Sequence, residues 1–311
     1  MTERVAAIDC GTNSIRLLVA DLDPETGALK DLDRRMEIVR LGQGVDKTGR
    51  LAPEALERTF AACRRYHEAI AALGVERLRF VATSASRDAE NRDEFRDGVR
   101  ELLGVEPEVI AGDEEAALSF VGATRELGAE GGGLARPYLV LDIGGGSTEF
   151  VLGSDRVEAA RSVDVGCVRM TERHLRSDPP TAAQIEAAKA DIEAAIDVAA
   201  ADVPLDRAKT LVGLAGSVTT VAGIALGLPE YDSARIHHSR LRIDDVREVA
   251  GRLLAATHEE RAAIPVMHPG RVDVIGAGAL VLLTIMERVG APEVVVSEHD
   301  ILDGIAWSTF D

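Results

Sequence analysis

The chain has 311 residues, of which 46% are hydrophobic and 3% aromatic, and it carries a formal net charge of −18. This length predicts about two domains, with cores built mainly from small aliphatic side chains. The acidic balance argues against binding to nucleic acid or to a membrane surface, because both call for a basic face. No stretch approaches the roughly 20 apolar residues of a membrane-spanning helix. The start of the chain lacks a signal-peptide pattern, so a cytoplasmic location is expected.

The first half of the chain is predicted to begin with three strands and then to alternate helices and strands. Its predicted elements are a hairpin over 4–21, a strand over 29–41, a helix over 54–73, a strand over 79–87, a helix over 91–103, a strand over 108–110 and a helix over 112–127. Pro53 suits the first position of its helix, and Gly74 suits the position just past the end. The glycine-rich stretch over 128–137 indicates a linker.

The second half repeats this order. Its predicted elements are strands over 138–143, 148–153 and 156–163, helices over 168–175 and 181–201, a strand over 209–216, a helix from 217, helices over 244–256 and 272–289, a strand over 293–297 and a helix over 301–310. The repeat predicts two α/β domains, over 1–128 and 136–311, with a cleft between them. The final helix, 300–311, is a candidate to pack back on the first domain.

Two glycine hairpins of similar design lie at matching places in the two halves. Residues 5–19 (VAAIDCGTNSIRLLV) and 140–152 (VLDIGGGSTEFVL) each run from an apolar strand through an aspartate and a glycine turn into another strand. Successive backbone N–H groups in such a turn form an anion site, which glycine leaves open to a ligand. The neighbouring carboxylates, Asp9 and Asp142, would repel a bare phosphate, so the pattern favours a divalent cation between them.

The chain resembles the exopolyphosphatase/guanosine-pentaphosphate phosphohydrolase (Ppx/GppA) family, within the actin-like ATPase and sugar-kinase superfamily. The resemblance rests on residues 8–16 (IDCGTNSIR), 82–87 (ATSASR), 112–116 (GDEEA) and 142–149 (DIGGGSTE), and it extends through 165–172 and 213–217. It implies an α/β fold of two ribonuclease-H-like domains, each with a mixed five-stranded sheet flanked by helices. The active site is then expected in the interdomain cleft. The chain looks like the short, two-domain form of the family.

The resemblance implies Mg²⁺-dependent hydrolysis of the terminal phosphoanhydride of inorganic polyphosphate, with release of orthophosphate. Asp9, Asp142 and Glu149 are the predicted metal ligands, and Mn²⁺ or a monovalent cation are further candidates. Backbone N–H groups and side chains at the hairpins and nearby strand ends are predicted to bind the substrate. They are Gly11, Thr12, Asn13, Ser14, Arg16, Ser84, Gly144, Gly145, Gly146, Ser147, Thr148, Gly216 and Ser217.

Glu115 is the residue that the resemblance identifies as the base that orients the attacking water, with Glu114 as the alternative. Both acids also fit a purely structural role at a helix N-terminus. Arg87 is predicted to contact phosphate oxygens, since a fixed guanidinium can donate to two of them at once. Arg169 is a further candidate for such a contact.

Other functions are also compatible with the sequence. Guanosine-pentaphosphate 5′-phosphohydrolase is the nearest alternative, and nucleoside triphosphates are candidate weaker substrates. A sugar or acyl kinase and a non-catalytic alarmone sensor are alternatives on the same fold. A homodimer is expected from the resemblance.

Overall fold

The computed structural model describes residues 2–125, 127 and 133–310, and the chain divides into two units. Unit 1 comprises Met1–Gly122 and Ile301–Asp311, and unit 2 comprises Ala123–Asp300. Positions 128–132 of the predicted linker lie outside the described residues, and so does the predicted end of the first domain. No helix in the described part of the chain combines the length and the apolar character that a bilayer crossing requires.

Unit 1 is built on a five-stranded sheet with the order β3-β2-β1-β4-β5. The strands are β1 (Glu3–Cys10), β2 (Ser14–Leu22), β3 (Leu29–Ile38), β4 (Arg77–Ala82) and β5 (Glu108–Val109). β1, β4 and β5 are parallel, whereas β2 and β3 continue the sheet antiparallel. The central strand β1 is buried between helices on both faces, which explains its continuous apolar sequence.

Helices cover both faces of this sheet. They are α1 (Val45–Thr48), α2 (Pro53–Leu73), α3 (Ser84–Asp88), α4 (Arg92–Leu103), α5 (Gly112–Thr124) and, at the end of the chain, α13 (Ile301–Trp307). Successive residues of a strand point to opposite faces. Ile8 therefore packs in a core with Leu56 of α2 and Phe95 of α4, while Ala7 packs on the other face with Ile305 of α13.

The last helix is fixed to unit 1 by specific contacts. Asp303, which is 1% exposed, forms an ion pair with Arg34 of β3. The indole N–H of Trp307 donates to the carbonyl of Gly27 at 3.0 Å. A Cβ on Gly304 would lie 2.1 Å from the carbonyl oxygen of Leu118, so only glycine allows α13 to approach α5 this closely.

The strand predicted over 79–87 is wrong in its second half, because β4 ends at Ala82 and α3 begins at Ser84. The N–H of Thr83 still binds the carbonyl of Cys10, but its own carbonyl accepts from the N–H groups of Ser86 and Arg87. The chain therefore turns into a helix at the sheet edge. The predicted strand over 29–41 likewise ends at Ile38, and the helix predicted to residue 127 ends at Thr124.

Unit 2 has a six-stranded sheet with the order β10-β11-β9-β6-β7-β8. The strands are β6 (Tyr138–Ile143), β7 (Thr148–Gly153), β8 (Val157–Val163), β9 (Thr210–Leu214), β10 (Arg240–Arg242) and β11 (Glu293–Val296). Five of them repeat the order and directions of unit 1, with β6, β9 and β11 parallel. The predicted count of five is wrong here, because β10 adds an antiparallel edge strand. It has only three residues, too few to give a periodic pattern.

The helices of unit 2 are α6 (Cys167–Arg173), α7 (Ala182–Asp202), α8 (Ala215–Ala225), α9 (Ser233–Ile236), α10 (Ile243–Ala255), α11 (His258–Ala262) and α12 (Ile275–Val289). The sequence pattern did not indicate the short helices α9 and α11. α12 packs against α6, α7, α8 and α10, and this encirclement explains why its sequence is apolar nearly all round.

Three histidines form a cluster next to the end of β11, and two of their rings are stacked. The rings of His237 and His238 lie 3.7 Å apart between centroids, and His299 lies 4.7 Å from His237. Nδ1 of His237 accepts the N–H of Glu298 at 3.1 Å. Burial and the neighbouring rings of His238 and His299 lower the pKa of His237 to about 4. The folded protein therefore holds this ring in its neutral form.

We expect His237 to make the protein less stable in mild acid. Its pKa is lower in the folded state than in the unfolded chain, so its contribution is complete above about pH 6.5 and is lost as the pH falls toward 4. His237→Asn keeps an acceptor for the Glu298 N–H but does not titrate. Urea unfolding at pH 7 and pH 4.5 measures the free energy of unfolding. Between these two pH values the variant should lose about 1–2 kcal/mol less of it than the wild type does.

The exposed His67, on α2, provides the control. His67→Asn should follow the wild-type stability at both pH values. If His237→Asn lost as much unfolding free energy between pH 7 and pH 4.5 as the wild type, His237 would not be the source of the acid sensitivity.

Candidate active site

The chemically active side chains of unit 1 lie where its three parallel strands end. Asp9 is near the end of β1, Ser84 follows β4, and Glu115 is in the first turn of α5, just after β5. The carboxyl ends of parallel strands share one sheet edge, which is where α/β proteins bind ligands. Hydrogen bonds from Thr83 N–H to Cys10 and from Ile110 N–H to Ala82 bring the three strand ends together.

The first hairpin, residues 9–14, is a tight turn that the following segment holds in place. The N–H of Gly11 donates to the carbonyl of Ser14 at 2.9 Å. The carbonyls of Thr12 and Asn13 accept N–H groups from residues 39–42, directly after β3. A trans peptide places its C=O and N–H on opposite sides. The N–H groups of Asn13 and Ser14 are therefore directed away from this segment.

The second hairpin, residues 142–147, repeats the turn and is held by α6. The N–H of Gly144 donates to the carbonyl of Ser147 at 3.0 Å. The carbonyl of Gly144 accepts from Cys167 N–H, and that of Gly145 accepts from the N–H groups of Val168 and Arg169.

The same peptide geometry turns the N–H groups of the second hairpin outward. The carbonyl of Gly146 accepts from Nε of Arg169 at 2.7 Å. The N–H groups of Gly145, Gly146 and Ser147 therefore point away from α6, and within the described residues they donate to no protein acceptor. Three outward N–H groups in succession form a nest of the kind that binds anions. Arg169, predicted as a substrate contact, is used here to support the nest.

The aspartates of the two hairpins have different cross-strand partners. Asp9 lies opposite Arg16, whose Nε and Nη2 donate to Asp9 Oδ2 at 3.0 and 2.7 Å. Asp142 lies opposite Glu149, and the two residues are 6% and 1% exposed. Oε1 of Glu149 also accepts from the Ser162 hydroxyl at 2.7 Å. Unit 1 thus carries a neutralised acid, while unit 2 carries two buried acids side by side.

The buried acid pair of unit 2 fits a hard divalent cation. Directly opposed like charges destabilise a strand pair, and a cation relieves this repulsion. No group of three or more His, Cys, Asp or Glu residues within 2–125, 127 and 133–310 is placed to hold a metal ion. Mg²⁺ is commonly bound through one or two carboxylates together with substrate phosphates, so two acids suffice. Asp9 stays a predicted ligand, although Arg16 already occupies its Oδ2.

Glu115 and Glu114, the two candidates for the base, lie in different surroundings. Glu115 has a side chain that is 9% exposed, and its Oε2 accepts from Nη1 of Arg87 at 3.1 Å. The same Nη1 donates to the carbonyl of Ile110 at 3.0 Å. Glu114 is 48% exposed and pairs with Arg79 at 2.7 Å. The structure therefore brings Glu115 together with Arg87, the predicted phosphate contact, and separates Glu114 from both.

The hydroxyl groups that were predicted to bind the substrate have different partners within the protein. The hydroxyls of Thr12 and Ser84 are 2.8 Å apart, so α3 is tied to the first hairpin. The hydroxyl of Thr148 donates to the carbonyl of Val165 at 2.6 Å, which leaves it no proton for a substrate oxygen.

Arg271 is a residue at the predicted Gly216–Ser217 site that sequence reasoning missed. Its Nη1 donates to the carbonyl of Gly216 at 2.6 Å and to the hydroxyl of Thr220 at 2.9 Å. A Cβ on Gly216 would lie 2.1 Å from the guanidinium carbon, so the glycine makes room for this arginine. Ala215 before it has φ of 67°, a left-handed conformation that costs a non-glycine residue about 1 kcal/mol. Nothing in the sequence around Arg271 signals this contact, which spans distant parts of the chain.

A model described as the Ppx/GppA phosphatase family matches residues 18–310. The chain is 51% identical over 316 residues to Exopolyphosphatase 2 of Mycobacterium tuberculosis, with 98% of each chain covered. It is 28% identical to the Guanosine-5'-triphosphate,3'-diphosphate pyrophosphatase of Aeromonas hydrophila, with 97% of this chain and 58% of the relative covered.

Solved structures agree with the sequence matches. The crystal structure of an exopolyphosphatase-like protein superposes with a TM-score of 0.94 at 45% identity, covering 99% of this chain and 97% of the other. The Aquifex aeolicus PPX-GPPA enzyme gives a TM-score of 0.81 at 30% identity, covering 99% and 100%. These matches confirm the predicted family resemblance and the α/β fold class. That both hairpins act on one substrate stays a prediction.

Gly166→Ala should displace the second hairpin. The added Cβ would lie 2.4 Å from the carbonyl oxygen of Gly145 and 2.7 Å from the N of Gly146, with no flexible side chain to move aside. Such overpacking costs about 1–3 kcal/mol of unfolding free energy. It should also weaken tripolyphosphate binding about tenfold or more, because the nest depends on the hairpin geometry. Urea unfolding and titration calorimetry measure the two effects.

Gly251→Ala is the matched control, since nothing lies within 4 Å of a Cβ there and the residue is in α10. It should leave binding unchanged and stabilise the helix by about 0.5–1 kcal/mol. If both variants bind and unfold alike, contact with Gly166 does not set the hairpin geometry.

Proposed function

Because the chain belongs to the Ppx/GppA phosphatase family, we propose that it is an exopolyphosphatase, which removes terminal orthophosphate from inorganic polyphosphate. The observation that carries this proposal is the 51% identity to Exopolyphosphatase 2 across 98% of both chains. Guanosine-pentaphosphate hydrolysis is the second candidate, because relatives with the corresponding name align at 28% identity over 97% of this chain.

In the proposed reaction the hairpins hold the terminal phosphoryl group. The outward N–H groups of Gly145, Gly146 and Ser147 would bind its oxygens, with Asn13 and Ser14 as the equivalent donors of unit 1. Phosphoryl transfer passes through a loose transition state with charge spread over these oxygens, so fixed donors stabilise it without reorganising. Rigid tethering of the carbonyls by α6 and by residues 39–42 supports this role.

Glu115 would position the attacking water. The water oxygen bonds to the terminal phosphorus, the bridging P–O bond breaks, and the carboxylate accepts the proton of the water. Arg87 holds Glu115 in one orientation through the 3.1 Å contact. Its remaining N–H groups would then donate to the phosphate chain. Orthophosphate leaves together with a polyphosphate shortened by one unit.

Mg²⁺ is the proposed cofactor, with Asp142 and Glu149 as the side chains that would hold it. When bound, the ion neutralises negative charge on phosphate oxygens. The donor set consists of carboxylate oxygens, which Mg²⁺ prefers, and Mn²⁺ accepts similar ligands. The homodimer, the monovalent cation and the cytoplasmic location stay predictions.

The purified protein should release orthophosphate from polyphosphate in the presence of Mg²⁺. Parallel assays with polyphosphate, guanosine pentaphosphate and ATP identify the substrate by the highest kcat/KM. EDTA should abolish release and added Mg²⁺ should restore it, because carboxylates alone cannot neutralise the substrate. A preference for guanosine pentaphosphate would favour the second candidate. Absence of release from all three substrates with Mg²⁺ or Mn²⁺ would refute the enzyme assignment.

Glu115→Gln should lower kcat for polyphosphate by about 10²- to 10⁴-fold with little change in KM, because the amide cannot accept the proton. Glu114→Gln discriminates between the two candidates, and we expect it to retain turnover. Asp113→Asn removes a charge from the same turn at an exposed position and provides the control. Loss of turnover in Glu114→Gln with normal activity in Glu115→Gln would make Glu114 the base instead.

A further inference from the structure

A groove of about 630 Å³ in unit 1 is lined in part by Arg87. Its lining also includes Arg92 and Arg96, which lie one helical turn apart on α4, and residues 106–111. Residues four apart on a helix face the same way. Their guanidinium groups and that of Arg87 therefore line a single groove.

Most charges around the groove are paired within the protein. Arg87 pairs with Glu115, Arg96 pairs with Asp93 and Glu106, and Glu108 pairs with Arg79. Arg92 is the exception, since it is exposed and the described part of the chain gives it no ion pair or side-chain hydrogen bond. In a chain with a net charge of −18, a cation without a carboxylate partner beside two further arginines favours an anionic ligand.

We propose that this groove binds the phosphate units of a long polyphosphate chain that lie beyond the third unit from the hydrolysed end. This proposal rests on the function proposed above, in which Arg87 contacts the substrate. A phosphate chain in the groove would contact Arg92 and Arg96 in addition to Arg87. Arg92 donates directly to phosphate oxygens, and Arg96 adds a second positive group whose pairing with Glu106 is exposed and therefore weak.

The lining chemistry favours a linear polyanion over a nucleotide. Apart from its charged residues, the described lining consists of Pro107, Val109, Ile110 and Ala111, without an aromatic ring on which a base would stack. Guanidinium groups recognise phosphates in any repeating chain, independent of an end group. The groove therefore distinguishes long polyphosphate from short phosphate esters by the number of phosphates that reach it.

The test compares Arg92→Ala with the wild type on tripolyphosphate and on a polyphosphate of several tens of units. On this proposal tripolyphosphate is too short to reach Arg92, whereas a long chain reaches it. We expect KM for the long chain to rise about tenfold, in line with the loss of one charge-assisted contact, while the constants for tripolyphosphate stay the same. Arg92→Glu should enlarge the effect. High salt should reduce the difference between variant and wild type.

Arg100→Ala is the matched control, because Arg100 lies on the same helix, carries the same charge and is outside the groove lining. It should leave both substrates unaffected. Arg92 is exposed in the first turn of α4, where loss of a positive charge favours the helix, so misfolding is not expected. The proposal would be overturned if Arg92→Ala left KM for the long chain unchanged. It would also be overturned if Arg92→Ala raised KM for tripolyphosphate by the same factor, or if Arg100→Ala raised KM for the long chain as much as Arg92→Ala does.

If the protein is not a polyphosphate hydrolase, the outcome differs from a failure of the groove proposal alone. In that case the wild type releases no phosphate from either substrate, and calorimetric titration with the long polyphosphate tests the groove directly. Affinity about tenfold weaker in Arg92→Ala than in Arg100→Ala would support the groove. Equal affinities would refute it.

Discussion

The arrangement of the candidate site depends on one constraint, which is that the carbonyls of each glycine hairpin are bound by the segment after the third strand. In unit 2 this segment is the start of α6, and in unit 1 it is residues 39–42. Peptide planarity then fixes the N–H groups on the opposite side. The anion nest therefore results from where the carbonyls are held. Gly166 has to lack a side chain for α6 to come this close.

The two units share a topology but not an electrostatic design. A shared sheet order places an aspartate at the same point of each hairpin. Across the strand pair, Asp9 meets Arg16 and Asp142 meets Glu149. A single change of cross-strand partner thus converts a neutral ion pair into a double acid. This asymmetry is the reason that the proposed metal ligands lie mainly in unit 2.

Glu114 and Glu115 are adjacent in the sequence, but the helix directs their side chains into different surroundings. Neighbouring positions on an α-helix are rotated by about 100°. Glu115 faces inward to Arg87, whereas Glu114 faces Arg79 at the surface. Arg87 also borders the arginine-lined groove, so one side chain connects the proposed water-positioning residue with the proposed path of the substrate.

The sequence by itself determined the two hairpins, the repeated strand order and the main helices, because each depends on a contiguous pattern of apolar residues, glycines and caps. The family resemblance added Glu115 as the proposed base. Only the tertiary structure decided the ion pairs of Glu114 and Glu115, the contact of Arg271 with Gly216, and the edge strand β10. The pairing partners of Glu114, Glu115 and Gly216 lie far from them in the chain, and β10 is too short to give a periodic signal. A local pattern therefore carries no information about them.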